Sequence, residues 1–278
     1  MNKPVDPVLL QPSEAFTDYL KNNAARFDAG AESAAHERGT RVGISRPHES
    51  AHLHVAGEAD YIDDLPELAG TLHAALGLSP VARGRITGMA LQQIRALPGV
   101  VAVLSSADIP GPNDCGSIIH DDPILAELAT QADGSVNGEV RYLGQPVFAV
   151  IADTRDAARR AAAQAKAVLT IDAETPVITP QDAHRLGQYV LPPMHLTRST
   201  RQGGARAAIA AAPHRLHGTL DVGGQEQFYL EGQISYAMPQ EDQTMLVHCS
   251  TQHPSEMQHL VAHALKLHAH DVQVVCRR

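Results

Sequence analysis

The sequence predicts an α+β fold, in which apolar strands alternate with helices and a region of paired strands follows. Four apolar runs have the length expected of buried strands. They lie at 71–78, 100–104, 146–152 and 168–171. A helix is predicted at 85–97, where apolar residues recur every three to four positions. A second helix is predicted at 155–167, directly after Asp153 or Thr154 as its cap.

Composition divides the chain into four stretches. Residues 1–45 mix Pro, Ala, Gly, Glu and Arg without periodicity and predict a mobile tail. Residues 46–172 form the α/β unit, and 173–204, rich in Pro, Gly, Thr and Gln, form a linker. Residues 205–278 form a second domain. Its predicted elements are a helix at 205–212, strands at 216–222, 234–238, 244–249 and 272–276, and a helix that starts at Pro254.

Overall composition limits the classes of function. The 278 residues are 44% hydrophobic and 19% charged, which is typical of a globular protein with a sizeable core. A net charge of -9 gives no basic surface for nucleic acid. No apolar run reaches the ~20 residues of a membrane span, and none suggests a signal peptide. Three cysteines without a CxxC pair favour a reducing cytoplasm over a disulfide scaffold.

Several familiar site patterns are missing or incomplete. Neither GxGxxG nor GxxxxGK[ST] occurs, so nucleotide binding by these routes has no support. His52 and His54 would share one face of an extended segment, but with no third ligand nearby they favour a polar strand edge. His259 and His263 have zincin-like spacing, yet Leu260 stands where the general base Glu is required. We therefore expect these two to lie on a solvated helix face.

The most informative stretch is rich in side-chain amides among glycines. It begins Gly-Gly-Gln-Glu-Gln-Phe-Tyr-Leu-Glu at 223–231, and Ser250-Thr251-Gln252 follows at the end of a predicted strand. Uncharged amides both donate and accept hydrogen bonds, which suits a neutral ligand or an oxo group better than a phosphate. Spacing alone leaves a second interpretation open, namely two strands with incidental glutamines.

These two motifs resemble the opening of the molybdopterin-binding domain of the molybdenum hydroxylases, in particular the molybdenum-binding large subunit of xanthine dehydrogenases. Segments 46–64, 70–80, 143–147 and 152–154 resemble that family's small α/β hammerhead domain. The resemblance covers 46–278. It implies a hammerhead domain followed by the truncated start of a molybdopterin-binding domain. It also implies that Gln252 lies beside the molybdenum, as a cofactor-binding and metal-site residue that is hydrogen-bonded to the oxo ligand.

The resemblance further implies a function. The complete subunit would hydroxylate hypoxanthine and xanthine to urate at a molybdenum cofactor, with oxygen derived from water. The [2Fe–2S] clusters, FAD and NAD would be carried by a partner subunit, so that a cytoplasmic hetero-oligomer forms. Two alternatives remain open: a related hydroxylase of aldehydes or N-heterocycles, and a non-catalytic module that contacts other subunits.

One departure from the family pattern qualifies this expectation. In the family a glycine-rich Gly-Gly-Gly-Phe-Gly-Gly-Lys-Glu loop follows the strand that corresponds to 272–278, and the substrate-binding and base residues lie beyond it. We therefore expect this chain to contain no catalytic residue and to be inactive alone. We also expect the strands at 244–249 and 272–276 to expose apolar surface. An open reading frame after Arg278 that encodes the loop would restore the enzyme.

Overall fold

The computed structural model describes residues 47–130, 136–192, 194 and 204–277. The predicted tail at 1–45 lies outside them. Contacts divide the chain into two units, Met1–Asp60 and Tyr61–Arg278, which are described separately. The predicted boundaries at 172 and 204 remain predictions.

The described part of the first unit is short and helical. Helix α1, Ala51–Ala56, ends at Gly57, whose φ of 73° is readily adopted by glycine. Because residues two apart on a helix point to different sides, His52 and His54 do not share a face. The expected extended segment, and with it the shared histidine face, is therefore wrong.

The second unit begins with two antiparallel sheets. Their strands are β1 His73–Leu78, β2 Gly84–Met89, β3 Val100–Leu104, β4 Leu128–Thr130, β5 Val136–Val140, β6 Pro146–Ala152 and β7 Leu169–Ala173. The strand orders are β1-β6-β3 and β4-β5-β2-β7. The helices of this part are α2 Leu91–Arg95, α3 Arg155–Ala162, α4 Ala165–Val168 and α5 Pro180–Leu186.

The predicted helix at 85–97 is the main error in this part. Its first half is strand β2, which pairs with both β5 and β7. Ile86 is fully buried in that sheet, so tertiary pairing overrides the helical spacing of the apolar residues. Only Leu91–Arg95 forms a helix.

A close contact between a small and a large residue shapes the core of this part. Gly77 is paired with Phe148 across β1 and β6, and a Cβ at Gly77 would come within 2.1 Å of the Phe148 ring. Only glycine therefore allows the ring, which is fully buried, to lie there.

The start of α3 confirms the predicted helix cap. The Thr154 side chain accepts a hydrogen bond from the Ala157 N–H at this point.

The segment predicted as a linker contains regular structure. Strand β7 extends to Ala173, and α5 follows within the same stretch. Thr179 caps α5 by accepting a bond from the Asp182 backbone N–H. Residues 195–203 lie outside the described part.

The final part contains a three-stranded sheet. Its elements are α6 Gly204–Ala211, β8 Ser235–Pro239, β9 Met245–Cys249, α7 Pro254–Leu265 and β10 Val272–Val275. The order is β10-β9-β8, with β8 antiparallel and β10 parallel to β9. Helix α7 connects β9 to β10, as parallel pairs require. These elements confirm the α+β fold class, and no helix in the described ranges is long and apolar enough to cross a membrane.

Two expectations for this part are corrected. Residues 216–222 form no strand and lie exposed, with Leu216 at 104% and Leu220 at 84% relative exposure. The strands β9 and β10 do have a packing partner on one face, because Val247, Cys249 and Val272 are buried together with Ala262 of α7. Exposed apolar surface thus lies in the irregular stretch before β8 and not on this face of the sheet.

Candidate functional site

Gln252 lies in the turn between β9 and α7. The strand ends at Cys249, and the helix begins at Pro254, whose ring fits the first helical position. Within the turn, the His253 N–H donates to Thr251 Oγ1 at 3.1 Å. The Gln252 side chain is exposed. Its amide therefore projects into solvent at the carboxyl end of a strand, where side chains commonly meet ligands.

Ser250 joins this turn to the amide-rich motif. Its Oγ donates to the Gly232 carbonyl at 2.8 Å and accepts from the Ile234 N–H at 3.1 Å. The Ser250 N–H also donates to the Ile234 carbonyl at 3.1 Å. Three hydrogen bonds therefore tie the beginning of the Ser-Thr-Gln turn to the segment just after the Gly-Gly-Gln-Glu motif.

A cysteine holds the other side of the turn. Cys276, directly after β10, donates its S–H to the Thr251 carbonyl at 2.8 Å. Neighbouring Cys249 is buried, and burial raises the pKa of its thiol, with smaller contributions from Cys276 and Glu231. Cys249 therefore stays protonated near neutral pH.

The Gly-Gly-Gln-Glu motif itself has no regular secondary structure and is mostly exposed. Gly223 and Gly224 have free space where a Cβ would stand, and Gln225 and Gln227 are exposed. Phe228 has a φ of 50° and is 92% exposed. Residues 223–230 are all exposed, and only Glu231 at the end of the motif is partly buried.

Glu231 ends the motif and makes a long-range contact. Its Oε1 accepts a 2.8 Å bond from the backbone N–H of Ile62, 169 positions earlier. Ile62 is only 3% exposed and begins a short 3₁₀ turn, Ile62–Asp64. Sequence analysis missed this contact, since no local pattern in the motif indicates a partner so distant along the chain.

A second contact joins the hammerhead-like part to α7. The Gly111 N–H donates to the Ala264 carbonyl at 2.8 Å, and a Cβ at Gly111 would stand 2.0 Å from the His263 carbonyl oxygen. Beside it lies an open groove of about 650 Å³, lined in part by Ile118, His259 and His263. The two helix histidines are exposed, as expected for a solvated face. In the described ranges, no three His, Cys, Asp or Glu side chains are grouped to hold a metal ion.

The chemistry of the residues in the turn fits a cofactor that carries an oxo group. Gln252 offers an exposed, uncharged N–H donor at a strand end, and the backbone that carries it is held by Ser250 and Cys276. An amide donor can polarise an oxo ligand without adding charge.

Comparison with known proteins identifies the family. Residues 56–170 match the a/b hammerhead domain of aldehyde oxidase and xanthine dehydrogenase. Residues 190–278 match the molybdopterin cofactor-binding domain. The fold is therefore a hammerhead domain followed by the start of a molybdopterin-binding domain. The chain belongs to the molybdenum hydroxylase family.

Within this family, the chain is similar to xanthine dehydrogenases and to aldehyde oxidases. It is 38% identical over 238 residues to the xanthine dehydrogenase of Drosophila pseudoobscura pseudoobscura, covering 84% of this chain and 16% of the relative. It is 34% identical over 227 residues to aldehyde oxidase 4 of Mus musculus, covering 81% of this chain and 16% of the relative. The chain thus spans about a sixth of the length of these relatives.

Solved structures share the fold. The aldehyde oxidoreductase from Desulfovibrio gigas aligns with a TM-score of 0.65 at 22% identity, over 83% of this chain and 26% of that chain. Quinoline 2-oxidoreductase from Pseudomonas putida 86 aligns with a TM-score of 0.64 at 23% identity, over 86% of this chain and 30% of that chain.

Proposed function

We propose that this chain is part of a molybdenum hydroxylase of the xanthine dehydrogenase type, which oxidises hypoxanthine and xanthine to urate with water-derived oxygen. The observation that carries the proposal is the exposed amide of Gln252, on a turn that Ser250 fixes to the segment just after the Gly-Gly-Gln-Glu motif. The family membership supports it. In this proposal the chain supplies a cofactor-binding element.

In this proposal the bound molybdenum cofactor supplies the redox centre for the hydroxylation. The residues of the chain bind and orient. Gln252 would help to hold the cofactor by donating its amide N–H to the oxo ligand, and its neutral side chain would add no charge beside the metal. Ser250 and Cys276 hold the backbone directly before Gln252, which fixes the position from which its side chain extends.

The substrate class rests on similarity. The first relatives are xanthine dehydrogenases, at 38% and 37% identity, whereas aldehyde oxidase 4 of Mus musculus stands at 34%. The first relatives thus favour a purine, but the identities of the two groups overlap, since the xanthine dehydrogenase of Oryza sativa subsp. japonica is also 34% identical. A hydroxylase of aldehydes or N-heterocycles is the second candidate, because aldehyde oxidase 4 of Mus musculus covers a similar share of the chain, 81% against 84%, with only slightly lower identity.

We also propose that electrons leave through [2Fe–2S] clusters and FAD to NAD on a partner subunit, in a cytoplasmic hetero-oligomer. Cys249 and Cys276 lie together, but Cys115 lies in a separate loop, where its thiol donates to the Asp122 carbonyl at 3.2 Å. Two thiols are fewer than the four that such a cluster requires.

The test is isolation of the assembly that contains this chain from its natural host, by an affinity tag on the chain. Molybdenum is measured by mass spectrometry, and turnover is assayed with xanthine, hypoxanthine and an aromatic aldehyde. The proposal predicts bound molybdenum and faster turnover of the purines. Faster turnover of the aldehyde would support the second candidate. An assembly with neither molybdenum nor turnover would support a non-catalytic module.

A further inference from the structure

Two thiols lie at the carboxyl ends of neighbouring parallel strands. Cys249 is the last residue of β9, and Cys276 directly follows β10. The register pairs Val275 with His248, so one further step along each strand brings Cys276 opposite Cys249. Both residues are thiols in the structure and not a disulfide.

The two side chains point to the same face of the sheet. Side chains alternate between faces along a strand, so Cys249 shares its face with Val247, and Cys276 shares its face with Val274. Val247 and Val274 are themselves register partners, and both pack in the cluster under α7. Adjacent strands lie about 4.8 Å apart, within the range of about 4.4–6.8 Å between the Cα atoms of a disulfide.

The electrostatics agree with this proximity. Burial is the main cause of the raised pKa of Cys249, and the Cys276 thiol is the next. Cys249 is only 2% exposed, whereas Cys276 is partly exposed. An external reagent therefore reaches Cys276 first.

Cys276 also controls the turn that carries Gln252. Its S–H donates to the Thr251 carbonyl at 2.8 Å, one residue before Gln252. A sulfur bonded to another sulfur has no hydrogen to donate. Oxidation of Cys276 therefore removes this bond from the turn.

We propose that Cys249 and Cys276 form a modification site, which low-molecular-weight disulfides convert to an intramolecular disulfide that releases the Thr251 carbonyl. The disulfide does not depend on the proposed function; only its consequence for cofactor binding at Gln252 rests on it. The reduced and oxidised forms thus differ in how firmly the turn is held.

The chemistry balances with the disulfide reagent as oxidant. Cys276 loses its proton and attacks the reagent, forming a mixed disulfide and releasing one small thiol. Cys249 loses its proton and attacks the Cys276 sulfur, expelling the second small thiol. Two protein thiols are oxidised and one reagent disulfide is reduced. Because the Cys249 pKa is raised, the second step becomes faster as the pH increases.

The competing interpretation is that both cysteines only fill space, as buried cysteines often do. Trypsin separates the possibilities, because it places the three cysteines in three peptides. Cys115 falls in 96–141, Cys249 in 216–266 and Cys276 in 267–277. Each possible disulfide therefore gives a linked pair of distinct mass.

The experiment treats the native, purified chain with oxidised glutathione, alkylates the remaining thiols and maps the peptides. We expect loss of both thiols to alkylation and a dominant 216–266/267–277 linked pair. Cys115→Ser should leave this product unchanged, and Cys276→Ser should abolish it. Only mixed disulfides in the native chain, or a cross-link that needs urea, would overturn the proposal.

Hydrogen exchange tests the consequence for the turn. Amides at 251–253 should exchange faster in the oxidised chain than in the reduced chain. Cys276→Ser keeps an O–H donor and forms no disulfide, so the same oxidant should leave its exchange unchanged. Equal exchange in the two forms of the wild-type chain would overturn the link between the disulfide and the turn. Neither readout requires molybdenum, so failure here is distinct from failure of the proposed function.

Discussion

The carboxylate of Glu231 accepts a 2.8 Å hydrogen bond from the backbone N–H of Ile62, and this bond ties the amide-rich motif to a segment 169 positions earlier. Since Ile62 is 3% exposed, water has little access to replace the carboxylate. The position of the motif is thus set partly from the hammerhead side of the chain.

Removal of this carboxylate should destabilise the chain. Glu231→Ala leaves the Ile62 N–H without its acceptor, at an expected cost of about 1–3 kcal/mol in the free energy of unfolding, measured by urea denaturation. Glu231→Gln keeps an acceptor oxygen, so its free energy of unfolding should fall less. Glu226→Ala, at an exposed position of the same motif, is the matched control. Equal stability of the two alanine variants would contradict the contact.

The hydroxyl of Ser250 should also make a measurable contribution to the free energy of unfolding. Ser250→Ala removes one donor and one acceptor from the bonds to Gly232 and Ile234, so we expect a loss of about 1–2 kcal/mol. Ser255→Ala changes an exposed serine of α7 and should have almost no effect. If urea denaturation gives the same midpoint for both variants, the hydroxyl does not hold the turn.

Gly111 tests the contact between the loop after β3 and the end of α7. In Gly111→Ala, the new methyl group would stand 2.0 Å from the His263 carbonyl, so the loop or the helix end has to move. Overpacking of this kind typically costs about 1–3 kcal/mol, readable as a lower thermal midpoint. Gly218→Ala, where the same methyl group meets open space, is the control. A Gly111→Ala chain as stable as the Gly218→Ala chain would refute this packing.

Asp108 should make stability depend on pH. The Ser105 backbone N–H and then its hydroxyl donate to the carboxylate and hold the pKa of Asp108 below its ordinary value. A lowered folded-state pKa adds stability that is complete above about pH 5 and is lost as the pH falls through the lowered pKa. Asp108→Asn should therefore have a lower thermal midpoint than the wild type at neutral pH. In acid the two midpoints should become equal. A deficit that is constant with pH would argue against the shift.

The sequence predicted the elements that local pattern determines. Thr154 was recognisable as a helix cap, and Pro254 as a helix start, because each acts through its immediate neighbours. The helix predicted around Ile86 is wrong, because the strand conformation of this segment depends on pairing with β5 and β7.

The role of Gln252 stays a prediction, and only the structure of its surroundings can be compared with the sequence analysis. A resemblance of short motifs indicated Gln252, and the structure adds what holds it. Ser250 bonds to Gly232, 18 positions earlier, and Cys276 bonds to Thr251, 25 positions earlier. Such contacts follow from strand pairing, which residue spacing alone does not reveal.

The most direct test of the account replaces Gln252 in the complete, cofactor-loaded enzyme. Gln252→Ala and His259→Ala, both at exposed positions, are compared for molybdenum content, circular dichroism and turnover. The account predicts that Gln252→Ala keeps its fold and loses turnover by ~10²–10³-fold, as expected for a lost donor, while His259→Ala matches the wild type. Full activity of Gln252→Ala together with loss of molybdenum from His259→Ala would contradict it and place the metal at α7.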